Sequence, residues 1–148
     1  MIAKLPLIVA LCSIPLIILL ILPQNNIDCS GDASCLKGKI TDVVNGYTIE
    51  TKDSVIVLSL IAPNEINSNA GEDAKKFVES TCPVGSDVLV DEDDGQINGS
   101  YGMIVGKVFC QGIILNEKIL ENQPDQLDSI QCFSSEFADE DWAKKHGC

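Results

Sequence analysis

The chain has 148 residues and a formal net charge of −12, because ten basic residues face 22 acidic ones. A molecule this acidic repels nucleic acid and anionic lipid at long range, which argues against nucleic acid as a partner. All ten basic residues are lysine and there is no arginine. No guanidinium group is therefore present to bind a phosphate through two N–H donors in one plane.

The first predicted element is an apolar segment at residues 5–22, where Ser13 is the one polar residue. At about 1.5 Å per helical residue, this segment approaches the roughly 30 Å of a bilayer core. Lys4 precedes it and the first charges after it are acidic, so the positive-inside rule places the body outside the cytoplasm. We expect residues 1–23 to be an uncleaved membrane anchor. The alternative is a cleaved signal segment, which would make the protein secreted.

The cysteines point to the same compartment. One of the seven, Cys12, lies in the apolar segment, which leaves an even set of six. In a small extracytoplasmic domain such a set predicts up to three disulfides, although many pairings are open to six cysteines. A zinc site is disfavoured, because there is no CxxC motif and His146 is the single histidine. Residues 24–37, which contain Cys29 and Cys35, are predicted to be an extracytoplasmic linker.

The body, residues 38–148, begins with a predicted three-strand meander. The segments "GKITDVV" (38–44), "GYTIET" (46–51) and "VIVLSLI" (55–61) have apolar and β-branched residues near strand spacing. Asn45-Gly46 is a strong hairpin signal between the first two strands. A helix is predicted over residues 70–81, where Ala74, Phe77 and Val78 have helical spacing and Cys82-Pro83 ends the segment.

Two further strands and two helices complete the predicted order. The strands cover residues 86–92 and 103–112, separated by a polar, glycine-rich loop. A short helix follows at residues 115–122, and the tail contains a last helix with Phe137 and Trp142 as core contacts. Because the strands are too closely spaced for a parallel sheet, the fold class is mainly β (α+β), a small closed or partly open barrel of five strands.

Three motifs along this order resemble one known family. They are "VVNGYTI" near the first turn, "LSLIAPN" at the end of the third strand, and "GSYGMIVGKVFCQGIILNEKIL" over the fifth strand and the helix after it. The ordered set resembles the thermonuclease (staphylococcal nuclease-like) family over roughly residues 38–122, and more loosely as far as Trp142. The resemblance implies an OB-fold barrel of the staphylococcal nuclease type with about three helices packed on it.

Active members of that family hydrolyse phosphodiester bonds with the help of calcium. Two arginines neutralise the phosphate, a glutamate activates water and aspartates hold the metal, because charge concentrates on the phosphoryl group in the transition state. The resemblance places the first metal aspartate at Tyr47, the first arginine at Ile56, the second metal aspartate at Ile61, the base at Asn64 and the second arginine at Met103. None of these residues retains the family chemistry. A register shifted by one residue would put Val57 at the first arginine and Glu65 at the base.

Loss of the base, the clamp and the metal ligands together should abolish hydrolysis by this mechanism. The resemblance thus implies a membrane-tethered binding or structural module with no catalytic residues and no cofactor, whose partner is an unknown envelope protein or a small ligand. The alternative is a calcium-dependent nuclease that cleaves DNA or RNA through a rearranged site containing Glu65, Lys107 and the acidic loop at residues 91–94.

Three smaller features have local interpretations. The acidic run at residues 91–94 does not match an EF-hand and is expected to be a solvated turn. Asn98-Gly99-Ser100 is a sequon that would permit glycosylation of Asn98 outside the cytoplasm. Apolar residues at the family's active-site positions could form a small pocket, but we expect the site to collapse and pack.

The family fold also suggests a disulfide pairing. Cys82 ends the first body helix and Cys110 ends the fifth strand, and these ends lie near each other in thermonuclease-like folds. The resemblance therefore implies a bond between Cys82 and Cys110. Cys132 would then pair with Cys148 in the tail, and Cys29 with Cys35 in a short N-terminal loop.

Overall fold

The computed structural model describes residues 28–63, 68–97, 99 and 101–148. Five strands form a closed, mixed β-barrel: β1 (Cys35–Asn45), β2 (Thr48–Thr51), β3 (Val55–Leu58), β4 (Asp87–Glu92) and β5 (Ile104–Cys110). They follow the order β3-β2-β1-β4-β5, and a parallel pairing of β3 with β5 closes the barrel. The other barrel pairings are antiparallel. The predicted small barrel is confirmed, and its form is consistent with an OB-like fold.

Three helices pack around the barrel: α1 (Asn69–Thr81), α2 (Leu115–Asn122) and α3 (Asp141–His146). The Ser68 side chain caps α1 by accepting a hydrogen bond from the Gly71 backbone N–H at 3.0 Å. A two-residue strand, β6 (Ile113–Ile114), pairs with the end of β5 and leads into α2. The predicted βββ-α-β-β-α-α order is therefore present, with β6 and several short 3-10 turns added to it.

The barrel interior and the helices share one apolar core. Alternate strand residues such as Ile40, Ile49, Ile56 and Val108 are buried, as the two-residue period of a strand requires. Ala74 and Val78 of α1 and Ile119 and Leu120 of α2 cover the barrel. Phe137 and Trp142 are also buried, so the prediction that Trp142 is a core residue is confirmed.

Some boundaries differ from the predicted ones. β3 ends at Leu58 and not at Ile61, because Leu60 has a φ of 65°, which interrupts the strand, before Ile61 forms an isolated bridge to Leu127. The first hairpin turns at Gly46-Tyr47, where the Asn45 side chain accepts a hydrogen bond from the Tyr47 N–H at 2.9 Å. β1 starts at Cys35, so the barrel already includes the end of the predicted linker.

Three disulfides connect the described cysteines. They join Cys29 to Cys35, Cys82 to Cys110, and Cys132 to Cys148. This is the pairing that the sequence analysis predicts. The first closes a loop ahead of β1, the second joins the end of α1 to the end of β5, and the third ties the tail to itself.

The predicted anchor at residues 5–22 lies outside the described residues. Among the helices that the structure describes, none has the length and hydropathy needed to cross a bilayer.

Candidate functional site

A groove of about 510 Å³ lies on the outer side of the barrel, where Val57 of β3 and Val105 of β5 are paired neighbours. Tyr47, Ile61 and Met103 line it, so three of the five positions implied by the family resemblance come together there. Asn64 and Glu65 lie outside the described residues. The complete lining comprises Tyr47, Val57, Ile61, Pro63, Gln96, Ile97, Gly99, Met103, Val105, Asp128 and Gln131.

Ile56 does not line this groove. It is buried in the core, whereas its neighbour Val57 is half-buried and faces the groove, because adjacent strand residues point to opposite faces. The position of Val57 agrees with the register shifted by one residue, and the side chain there remains apolar. Ile56 and Ile61 are buried in the core and Tyr47 packs against it, as the expected collapse requires, although a groove remains open beside Tyr47, Ile61 and Met103.

The wall of the groove is polar and held by hydrogen bonds. Asp128 accepts from the Ile130 N–H at 3.1 Å and from the Gln131 side-chain amide at 3.0 Å. The side-chain oxygen of Gln131, Oε1, accepts from the Leu60 N–H at 2.8 Å and from the Gln96 side-chain amide at 3.1 Å. Among the described lining residues, Asp128 supplies the negative charge and no lysine is present. The groove is thus apolar with one acidic wall.

Large apolar side chains flank the groove and face solvent. Tyr101 is 99% exposed, Ile130 is 79% exposed and Ile97 is 51% exposed. Ile97 lines the groove itself, Tyr101 lies two residues from Met103, and Ile130 is adjacent to Gln131. We call Ile97, Tyr101 and Ile130 the apolar rim. Ile97 belongs to the groove lining and the other two are close to lining residues in sequence, and exposed apolar side chains of this kind mark interaction sites.

The acidic run at residues 91–94 is not the solvated turn that the sequence suggested. Asp91, Glu92 and Asp93 are buried, and Asp93 has no exposed surface at all. Asp93 accepts four hydrogen bonds, and these come from the side chains of Ser59 and Gln96 and from the backbone N–H groups of Gly95 and Glu136. The prediction was wrong because Ser59 and Glu136, which help to bury Asp93, are 34 and 43 residues away in sequence, so the local pattern gave no sign of them.

The loop closed by Cys29–Cys35 covers this acidic run. The Asp94 carboxylate accepts from the Ala33 N–H at 2.7 Å and from the Asp32 N–H at 2.9 Å, and Glu92 accepts from the Ser34 N–H at 3.1 Å. Glu136 reaches the same place from the tail and accepts from the Asp94 N–H at 2.9 Å. Burial, reinforced by the carboxylates of Asp94, Asp91 and Asp93, raises the pKa of Glu136 above its ordinary value.

Lys107 lies in a buried site of its own. Its Nζ is 2.6 Å from Glu140 Oε1 and 3.2 Å from Asp91 Oδ2, and 5% of its side chain is exposed. Lys107 therefore does not line the groove. It contacts Asp91 of the acidic loop that the nuclease alternative names, whereas Glu65 lies outside the described residues. Met103 precedes β5, so strand alternation does not place it on the face of Lys107.

The described residues contain no group of three or more His, Cys, Asp or Glu side chains arranged to hold a metal ion. In the acidic run, backbone and side-chain donors occupy most of the carboxylate oxygens that a calcium ion would need. Asn98 is outside the described residues, so the glycosylation prediction stands as made.

The chain matches no protein-family model and no curated protein sequence.

Proposed function

We propose that this chain is a membrane-tethered, extracytoplasmic domain of the thermonuclease-like type that does not hydrolyse phosphodiesters and instead binds another envelope protein. The observation that supports the proposal is the groove floor, which is lined by Tyr47, Val57, Ile61 and Met103, where the family resemblance implies charged groups. The proposed partner presents an apolar segment to this floor.

The electrostatics of the groove disfavour phosphodiester hydrolysis. A phosphoryl transition state needs fixed cations or a hard metal beside its oxygens. The described lining carries Asp128 and no lysine, and the chain has no arginine. A phosphate placed here would meet an apolar floor and a carboxylate, which also argues against bound nucleic acid.

A protein segment suits the site better than a small ligand. The groove volume lies within the range of about 300–1,000 Å³ seen for ligand pockets, but the apolar rim extends the surface beyond it. A small molecule in the groove would leave Tyr101 and Ile130 in water, whereas a peptide chain lying across the opening would cover them. OB-like barrels commonly use such a groove for extended ligands.

Three disulfides and the apolar segment at residues 5–22 support the extracytoplasmic location. Disulfides persist in oxidising compartments, and a tether at the N-terminus would hold the barrel at the outer side of the membrane.

The hydrolytic alternative is tested by cleavage assays with the oxidised body, residues 28–148. We expect no cleavage of single- or double-stranded DNA or RNA with either calcium or chelator. Calcium-dependent cleavage that persists through purification and disappears in Glu65→Gln would contradict the proposal and favour the rearranged nuclease.

The binding proposal is tested by photo-crosslinking in membranes from the native cells. A photoreactive residue placed at Tyr101 should give a protein adduct, whereas one at Val84, which is exposed in the turn between α1 and β4, should not. Met103→Asp should abolish the Tyr101 adduct while the protein remains folded. Equal adducts at both positions, or an adduct that Met103→Asp leaves unchanged, would exclude the groove as the binding site.

A further inference from the structure

The site of Lys107 lies between the outer face of the barrel and the tail. Asp91 of β4 and Lys107 of β5 are direct cross-strand partners in the antiparallel ladder. Glu140 and Phe137 cover the pair from the tail, and Ser30 covers it from the N-terminal loop. The Asp91 side chain is 1% exposed, so an amine and a carboxyl group face each other in a site closed to bulk water.

We propose that Lys107 and Asp91 form an intramolecular amide bond, with Glu140 as the proton carrier. The Nζ atom of Lys107 is the nucleophile and the side-chain carboxyl carbon of Asp91 is the electrophile. The chain needs no enzyme and no cofactor for this reaction, because the fold brings the reacting groups together.

The step balances as a simple condensation. Glu140 Oε1, 2.6 Å from Nζ, accepts a proton from the ammonium group and frees the lone pair. One N–C bond forms and one C–O bond breaks. The two protons lost from nitrogen leave on the departing oxygen as water, one of them carried by Glu140. No atom changes its oxidation state.

The two oxygens of Asp91 have different surroundings that fit different roles. Oδ2 accepts hydrogen bonds from the Ser30 N–H at 3.1 Å and the Ser30 hydroxyl at 3.0 Å. These donors would stabilise the negative charge that develops on Oδ2 as nitrogen adds to the carbon, and Oδ2 would then remain as the amide carbonyl oxygen. Oδ1 is buried and has no hydrogen-bond partner among the described residues, so no donor fixes it as the carbonyl oxygen. It would take up the two protons lost from nitrogen, one delivered by Glu140 and one passed directly from the tetrahedral adduct, and leave as water.

The surroundings also favour the amide over the ion pair. Nζ lies 4.4 Å from the centre of the Phe137 ring and 5.3 Å from that of Phe109, so the ring faces attract the ammonium group while they replace part of its hydration. A buried ion pair keeps a desolvation cost that a neutral amide does not have. Exclusion of water from the closed site would also slow hydrolysis of the bond once it has formed.

Intact mass spectrometry of the full-length chain, reduced and denatured, tests the proposal. We expect a mass lower by one water than the mass of the reduced sequence. Trypsin cannot cut after an acylated lysine, so the loss should map to a single peptide of residues 77–118 that is uncut at Lys107. Full-length mass without the loss, together with complete cutting after Lys107, would overturn the proposal.

Asp94-Gly95 could also lose water, by closing a succinimide ring. That product would leave the cut after Lys107 intact, so a water loss with normal cutting there counts against the proposal. Lys107→Arg keeps the positive charge but cannot form the amide, and it should retain the full mass.

Asp91→Asn provides a matched positive control. Its side-chain amide can react with the same lysine, but the leaving group is ammonia. The linked variant and the linked wild type should therefore have identical masses, although their unlinked sequences differ. Glu140→Gln keeps a hydrogen-bond acceptor near Nζ but cannot carry the proton, so its linked fraction should fall at least tenfold at equal incubation time. An unchanged fraction would overturn the role of Glu140.

Discussion

Asp93 accepts four hydrogen bonds and has no exposed surface, so it is the most buried carboxylate of the acidic run. Asp93→Ala would leave the Gly95 and Glu136 backbone N–H groups without this acceptor, and the Ser59 hydroxyl and the Gln96 amide would each lose one partner. Breaking such a network costs about 3–5 kcal/mol. Urea denaturation should show this loss in the free energy of unfolding.

A matched control for Asp93 is Asp87→Ala. Asp87 pairs with Lys39 at 2.7 Å on the surface, with 84% of its side chain exposed, and such pairs contribute about 0–1 kcal/mol. A loss of less than about 1 kcal/mol for Asp93→Ala, similar to that of the control, would show that the Asp93 hydrogen bonds contribute no more to stability than an exposed ion pair.

Glu136 should make the protein less stable as the pH rises. Its pKa in the folded protein is raised above the ordinary value of 4.5, first by burial and then by the neighbouring aspartates. The folded state therefore holds this proton more tightly than the unfolded chain. The resulting stability is fully present below pH 4.5 and is lost as the pH rises through the folded-state pKa.

Glu136→Gln tests this dependence, because glutamine can still accept from the Asp94 N–H but carries no charge. Its Tm should exceed that of the wild type by a few degrees at neutral pH, and the difference should vanish in acid, where Glu136 is protonated. Glu50→Gln removes one carboxylate from β2, away from the acidic run, and is the control for the loss of a single charge. A Tm difference for Glu136→Gln that is constant across this pH range would contradict the assignment.

At the scale of elements, the disulfides differ in what they hold. Cys82–Cys110 joins α1 to β5 across 28 residues and is fully buried, whereas Cys29–Cys35 closes a loop of 6 residues. Loop-closure entropy predicts that changing Cys82 and Cys110 to alanine lowers the free energy of unfolding by about 3–4 kcal/mol, and that changing Cys29 and Cys35 lowers it by about 2 kcal/mol. Guanidinium unfolding of the two double variants measures both losses. A larger loss for the short loop would mean that its hydrogen bonds to the acidic run contribute more to stability than the difference in loop-closure entropy.

The elements were predictable where local pattern determines them. Residues 115–122 form the predicted helix to the residue, and α1 begins one residue before its predicted start. Alternation predicted β4, because alternate side chains of a strand point to the same face. The end of β3 was not predictable in this way, because "VLSLI" continues the strand pattern while the positive φ of Leu60 interrupts it.

The candidate site was predictable in part, because local sequence motifs indicate some of the residues that meet there. Motif order indicated that Tyr47, Ile61 and Met103 come together, although alternation at β3 selects Val57 and not Ile56. The buried network was missed, since many of its contacts join residues far apart in the chain, such as Ser30 with Asp91 and Lys107 with Glu140, which are 61 and 33 positions apart. The tail contains one signal that could have indicated the network. Acidic residues lie next to and between Phe137 and Trp142, and this pattern indicates carboxylates at the edge of a core.

At the scale of the whole molecule, charge opposes folding. Residues 28–148 hold nine lysines and all 22 acidic residues, so their net charge is 9 − 22 = −13. Compacting this chain brings like charges together, and the repulsion acts over a Debye length of about 30 Å at 0.01 M salt but about 3 Å at 1 M. The surface ion pairs, such as Lys39 with Asp87, are attractive but contribute little.

Because the repulsion outweighs these exposed pairs, we expect sodium chloride to stabilise the protein. Tm should rise steadily from 0.01 M to about 0.5 M salt, with most of the gain at the low end, where screening changes fastest. Choline chloride should act in the same way, since the effect requires ionic strength and no bound sodium. A fall in Tm with salt would mean that the ion pairs dominate, and a rise with sodium alone would indicate a specific cation site.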